Sequence, residues 1–166
     1  MSRAAGAMDP RLRILEYLAR RDRSEKEIGD RLRQWNCEAP EIDEILQELI
    51  GRGLVDDRAL AEKVRDWHIR KDPVGPPRLR DRLRQRGIPA EIASEVSDSI
   101  RDEELLREMA KRLVLRRLPS LLPLAGPSRV RRLSSYLSRR GFPGALVREL
   151  CLPLYREDLE MEEFEE

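Results

Sequence analysis

The sequence predicts an all-α fold, an elongated array of three tandem three-helix repeats. Three observations predict it. Apolar residues recur at spacings of three and four, the period of a helix face, and nowhere alternate as a strand would. A short stop motif occurs three times: Arg31-Leu32-Arg33-Gln34-Trp35-Asn36-Cys37, Arg82-Leu83-Arg84-Gln85-Arg86-Gly87-Ile88 and Tyr136-Leu137-Ser138-Arg139-Arg140-Gly141-Phe142. The aligned leucines lie 51 and 54 residues apart, a period long enough for three helices per copy. In each copy a residue that tolerates the left-handed conformation is followed at once by an apolar one. That is the pattern of a Schellman stop, whose apolar residue folds back on the helix just ended.

The elements follow in order. Residues 1–10 are an N-terminal extension. The first repeat, 11–55, opens with a helix from Arg11 to Arg21 whose spacing places Leu12, Leu15, Leu18 and Ala19 on one face. Ser24 and Glu27 then form a capping box, in which each side chain satisfies the other's backbone amide. The helix they start carries Ile28, Leu32 and Trp35 and stops near Asn36. Pro40 suits the first turn of the next helix, where its missing N–H costs nothing. Ile42, Ile45, Leu46, Leu49 and Ile50 line that helix, and Gly51 and Gly53 end it.

The second repeat, 56–101, starts at Asp56 and Asp57, two potential N-caps. Its first helix bears Leu60, Val64 and Trp67, with both tryptophans of the chain assigned to the core. Pro73, Gly75, Pro76 and Pro77 break that helix. The next carries Leu79 and Leu83, and the last Ile92, Val96 and Ile100. The third repeat, 102–152, has Leu106, Met109 and Leu113, a Pro-rich link from Leu118 to Pro127, then Val130, Leu133 and Leu137. Leu146, Val147 and Leu150 follow its stop. Residues 153–166 form an acidic tail, expected to be mobile because its like charges repel.

Composition narrows the function. The chain of 166 residues is 39% charged and only 4% aromatic, which suits thin helices sharing modest apolar stripes. Its net charge of +1 hides an asymmetry: the last ten residues hold seven acids and no base, so the first 156 carry 33 bases against 25 acids. A basic body with an acidic tail suits an anionic partner. Two cysteines, Cys37 and Cys151, make neither a disulfide framework nor a CxxC site. No apolar run approaches the length of a membrane span, and Met1 to Met8 lack a signal-peptide core, so a cytoplasmic location is expected.

Little in the chain suggests catalysis. A single histidine, His68, has no marked nucleophile to serve and reads as a structural residue near a helix end. One His and two Cys without local spacing make no metal site, and no phosphate-cradling Gly loop is present. The expectation is no catalytic residue, no metal and no cofactor.

The positive signal is arginine. The chain has 29 against four lysines. Arg78, Arg80, Arg82, Arg84 and Arg86 crowd one short helix, with Leu79 and Leu83 as its buried line, Arg78 and Arg82 on one flank and Arg80 and Arg84 on the other. Like charges four residues apart cost ~0.2–0.5 kcal/mol per pair in an isolated helix. Arg31 and Arg33 repeat the placement in the first copy, and Arg139 and Arg140 lie close to it in the third. These nine arginines are either a solvated face or the surface for an anionic partner. The second reading makes Arg78, Arg80, Arg82 and Arg84 its exposed centre.

The order of the motifs resembles the RecX family. The capped step is Ser24 to Glu27. A Gly53-Leu54-Val55-Asp56-Asp57 turn follows, with Ala61 beyond it. Gly75-Pro76-Pro77 precedes the basic helix, which ends in Arg86-Gly87-Ile88, and Leu137-Ser138-Arg139-Arg140-Gly141-Phe142 closes the pattern. The match runs from Arg11 to Leu150. Trp35-Asn36-Cys37 in place of basic-Gly-apolar, Ala59-Leu60 in place of Arg-Phe, and the Pro- and Leu-rich link depart from it. The resemblance implies a non-enzymatic monomer that binds RecA filaments on single-stranded DNA and suppresses filament growth, ATP hydrolysis and strand exchange. DNA itself, single- or double-stranded, is the alternative partner, held by the basic helices.

Overall fold

The computed structural model describes residues 9–154; the acidic tail from Glu157 lies outside them. The described residues form nine α-helices and one short 3₁₀ turn, with no strand among them. The helices are α1 (Pro10–Leu18), α2 (Glu25–Gln34), α3 (Ala39–Gly51), α4 (Asp57–Arg70), α5 (Pro76–Gln85), α6 (Ala90–Asp98), α7 (Glu103–Arg117), α8 (Gly126–Arg139) and α9 (Gly144–Cys151). They divide into two compact units. Among the described residues, the first holds 9–64 together with Arg82–Ala93, and the second holds Arg65–Asp81 and 94–154. The division falls within α4, α5 and α6, the three helices of the middle copy.

The starts and stops obey local rules. Ser24 Oγ accepts from the Glu27 amide and Glu27 Oε2 accepts from the Ser24 amide, completing the capping box. Asp56 and Asp102 cap α4 and α7 by accepting from the amides of Ala59 and Leu105. The three recurrent stops are left-handed: φ is 60° at Asn36 and 83° at Gly87 and Gly141. In each, the N–H of the apolar residue reaches back to the aligned leucine carbonyl, as Cys37 to Leu32, Ile88 to Leu83 and Phe142 to Leu137. The residue before it bonds one carbonyl further on, which completes the Schellman pair. Gly53, with φ 66°, closes α3 in the same way through Leu54 and Leu49.

In the first unit, Ile14, Ile28, Leu32, Cys37, Ile42, Ile45, Leu49 and Val55 make the core, and Leu15, Tyr17, Leu18 and Trp35 pack on it. The spacing argument placed Leu12 on the inner face of α1. The structure instead buries Ile14 and leaves Leu12 57% exposed. The helix is only nine residues long and its capping Asp9 fixes where it begins, so α2 and α3 cover the stripe Ile14–Tyr17–Leu18.

The second unit packs α7, α8 and α9 together, with Leu106, Met109, Ala110, Leu113, Leu133, Leu137, Phe142 and Val147 buried. The helical spacing places Trp67 in the core, but the structure leaves it 50% exposed. Its neighbour His68 takes the inward position, buried at 3% exposure, with Nδ1 2.8 Å from the Asp72 carbonyl. A buried ring nitrogen needs a partner, and the carbonyl just past the end of α4 supplies one. The carbonyls of Ile69 and Arg70 receive the Arg112 guanidinium, and that of Lys71 receives Arg116. The orphan acceptors at this helix end are thereby satisfied.

One junction occurs twice, once in each unit. In the first unit the stop of the middle copy meets the link between α1 and α2. Ser24 Oγ donates to the Arg86 carbonyl, and the Arg86 guanidinium donates to the Asp22 carbonyl at 3.0 Å and to Glu27. In the second unit the stop of the third copy meets the link between α4 and α5. The Gly75 amide donates to the Arg140 carbonyl at 2.8 Å, and the Arg140 guanidinium bonds the Asp72 carboxylate and the Pro73 carbonyl. The residue before the glycine is therefore a junction arginine. At the aligned position of the first copy stands Trp35, which packs on its own core with Arg13 stacked 4.1 Å from its ring centre. That is the physical content of the departure at Trp35-Asn36-Cys37.

Candidate partner-binding surface

The nine arginines singled out by sequence have different fates. On α5, Leu79 and Leu83 are fully buried, as the spacing required. Arg78 and Arg84 are exposed and make no ion pair with any described residue. Arg82 is half-buried. Arg80 does not stand free on its flank: it bonds Ser97 Oγ and pairs with Asp98 at 2.8 Å. Arg86 and Arg140 are the two junction arginines. In the first copy, Arg31 bonds Gln34 and lies over the Tyr17 ring, while Arg33 pairs with Asp30 at 2.8 Å. Arg139 is exposed. Thus Arg80, Arg86 and Arg140 tie the fold together, and Arg78, Arg84 and Arg139 present charge to solvent. Of the four arginines expected to be exposed on α5, Arg80 and Arg82 are half-buried, and Arg80 is tied to Asp98 on α6 because the two helices bring them together.

Sequence reasoning missed a second cluster. Arg117 at the end of α7 and Arg131, Arg132, Ser135, Tyr136 and Arg139 on α8 line a cleft of about 380 Å³. Residues 132, 135, 136 and 139 fall at i, i+3, i+4 and i+7, one helix face, with Leu133 and Leu137 buried on another. That signal was present in the sequence. The stop motif covers only the last turn of this face, Tyr136 to Arg139. The Tyr136 ring has Arg117 and Arg140 guanidinium carbons 5.8 and 5.2 Å from its centre.

Ionisable groups elsewhere serve structure. Arg107 grips Glu149 with two hydrogen bonds and also reaches Glu104, holding the Glu149 carboxyl below its ordinary range. Burial pushes the Asp57 carboxyl up, and the Glu25 amide that bonds it opposes the shift in part. Burial likewise raises the Cys151 thiol, against a hydrogen bond from Ser134. A thiol held protonated is a poor nucleophile. Among the described residues no cluster of three His, Cys, Asp or Glu could hold a metal ion, and no helix is long and apolar enough to cross a membrane.

Capped helices, three stops on one plan and a twofold junction define an all-helical repeat protein that carries arginine on its surface. Comparison with known proteins places it further. The family models for the first and third three-helix domains of RecX match residues 11–49 and 103–151. The regulatory protein RecX of Leptothrix cholodnii is 31% identical over 83% of this chain and 84% of its own length. That of Chlorobaculum tepidum is 30% identical over 87% and 86%. A crystal structure of a regulatory protein RecX superposes with a TM-score of 0.76 at 27% identity, covering 87% of this chain and 71% of that one. The chain belongs to the RecX family of regulatory proteins.

Proposed function

We propose that this chain binds RecA filaments on single-stranded DNA and restrains filament extension, ATP hydrolysis and strand exchange, acting without catalysis of its own as a cytoplasmic monomer. Membership of the RecX family supports the reading. The observation that carries it to particular residues is the pair Arg78 and Arg84, exposed on α5 with no ion pair to any described residue. Unneutralised guanidinium groups gain most from a carboxylate- or phosphate-bearing surface, which they can grip bidentately. Arg139 in the third copy is a further candidate contact, as are Arg31, Arg33 and Arg82, which have part of their bonding capacity already used. Titrating purified protein into RecA and single-stranded DNA tests the proposal. DNA-stimulated ATP hydrolysis should fall with dose, at concentrations that barely shift DNA alone. A rate unchanged across the titration sinks the reading.

A further inference from the structure

The cleft between the end of α7 and one face of α8 differs from every other basic feature in the second unit. Most other arginines of that unit are spent on neighbours: Arg80 and Arg101 on Asp98, Arg107 on Glu149, Arg140 on Asp72, Arg112 and Arg116 on the carbonyls that end α4; Arg78 and Arg148 are exposed but do not line the cleft. Arg117, Arg131, Arg132 and Arg139 are all exposed, share one concave surface, and none forms an ion pair with a described residue. No described carboxylate lines the cleft. Four like charges sharing one concave surface repel one another, and among the described residues only the Tyr136 ring near Arg117 offsets any of that cost.

We infer that this cleft is a binding site for the phosphodiester backbone of a single nucleic-acid strand. The lining consists of guanidinium groups, a serine hydroxyl and a tyrosine phenol, every one able to donate a hydrogen bond. Arg, Ser and Tyr side chains are typical donors to phosphate oxygens. A protein partner would call for something else: the centre of such an interface is built on aromatic or apolar anchors in desolvated pockets. Here the one ring is Tyr136, with a guanidinium from Arg117 and another from Arg140 already near it. Arg132 and Arg139 are seven residues apart, roughly 10 Å along the helix, long enough to engage more than one phosphate of a strand. Contacts to phosphate oxygens carry no sequence information, so the site is expected to bind strands of different base composition alike.

The assay needs no RecA, so it is independent of the function proposed above. Binding of fluorescently labelled oligothymidylate to the full chain is followed by anisotropy over a range of salt. Wild-type affinity should fall steeply with salt, and an oligomer of different base composition should bind alike. Arg132→Ala with Arg139→Ala should weaken binding about tenfold or more at low salt. It should also flatten the slope of log affinity against log salt by about 1.4, since two phosphate contacts are lost from a single strand. Both side chains are exposed, so the melting temperature should hold. Arg20→Ala with Arg148→Ala removes the same charge outside the cleft and should bind near wild type. Three results would overturn the inference: no binding of oligothymidylate by wild type, an unchanged slope in the cleft variant, or equal loss in the control variant. If the cleft variant keeps its DNA affinity but loses binding to RecA protein free of DNA, the cleft faces protein carboxylates, and the nucleic-acid assignment is wrong.

Discussion

Gly75 makes the sharpest single test of the repeated junction. Its amide donates to the Arg140 carbonyl, and a Cβ built on it would lie 1.8 Å from the Gly141 carbonyl oxygen and 2.9 Å from the Phe142 nitrogen. All of these are backbone atoms inside a Schellman stop, so no side chain can swing away to make room. Gly75→Ala must push the link off the stop. It breaks one buried hydrogen bond, about 1–3 kcal/mol if the carbonyl is left unpaired, and adds an overpacking cost of ~1–3 kcal/mol. The Arg140 ties to Asp72 and Pro73 are put at risk as well. A loss of roughly 2–6 kcal/mol is expected from these costs. Gly144→Ala is the matched control. That glycine is the first residue of α9 and its Cβ would meet nothing within 4 Å, so the change should be neutral or slightly stabilising. Urea denaturation followed by circular dichroism measures both. If Gly75→Ala unfolds at the same midpoint as Gly144→Ala, the close approach of the two backbones is wrong and the junction argument falls.

Three further outcomes are expected. Gly87 combines φ 83° with a Cβ position 2.6 Å from the Lys26 Cβ, so Gly87→Val should cost at least about 1 kcal/mol from the left-handed strain alone; a melting temperature equal to wild type would argue against the stop. The Asp57 carboxyl is raised by burial, so the stability it contributes is present below the unfolded pKa and is lost as pH rises through the folded one. Asp57→Asn keeps an acceptor for the Glu25 amide without the buried charge, so its advantage over wild type should grow as pH rises through the carboxylate range; a constant difference in melting temperature across that range contradicts this. We propose that the seven acids of 157–166 compete with an anionic partner for the basic body; deleting them should then tighten binding at low salt and matter little at high salt, and weaker binding would make the tail a contact element.

How much could be read from the sequence depends on how local each feature is. The capping box at Ser24 and Glu27 and the stops at Asn36, Gly87 and Gly141 were legible because backbone chirality and nearby hydrogen bonds decide them within a few residues. The buried line Leu79–Leu83 was legible from helical period alone. Leu12 and Trp67 were misassigned because period gives a stripe but not which neighbour covers it. Tertiary packing chose Ile14 over Leu12 and His68 over Trp67. The ties of Arg80, Arg86 and Arg140 join residues 18, 64 and 68 positions apart, and no short pattern announces them. Charge counting therefore treated structural arginines and free ones alike.

That distinction is also where the functional account can fail. Arg80→Ala would disturb both surface and fold, so the informative pair is Arg78→Ala with Arg84→Ala, measured as inhibition of DNA-stimulated ATP hydrolysis by RecA. The variant should need about tenfold more protein for the same inhibition, the scale of a lost charge-assisted bond, with helical signal and melting temperature at wild-type values. Arg78→Lys with Arg84→Lys should recover part of the effect, because charge is kept and the planar fork is not. If the alanine pair inhibits as strongly as wild type, α5 is only a solvated face, and this chain does not meet RecA through it.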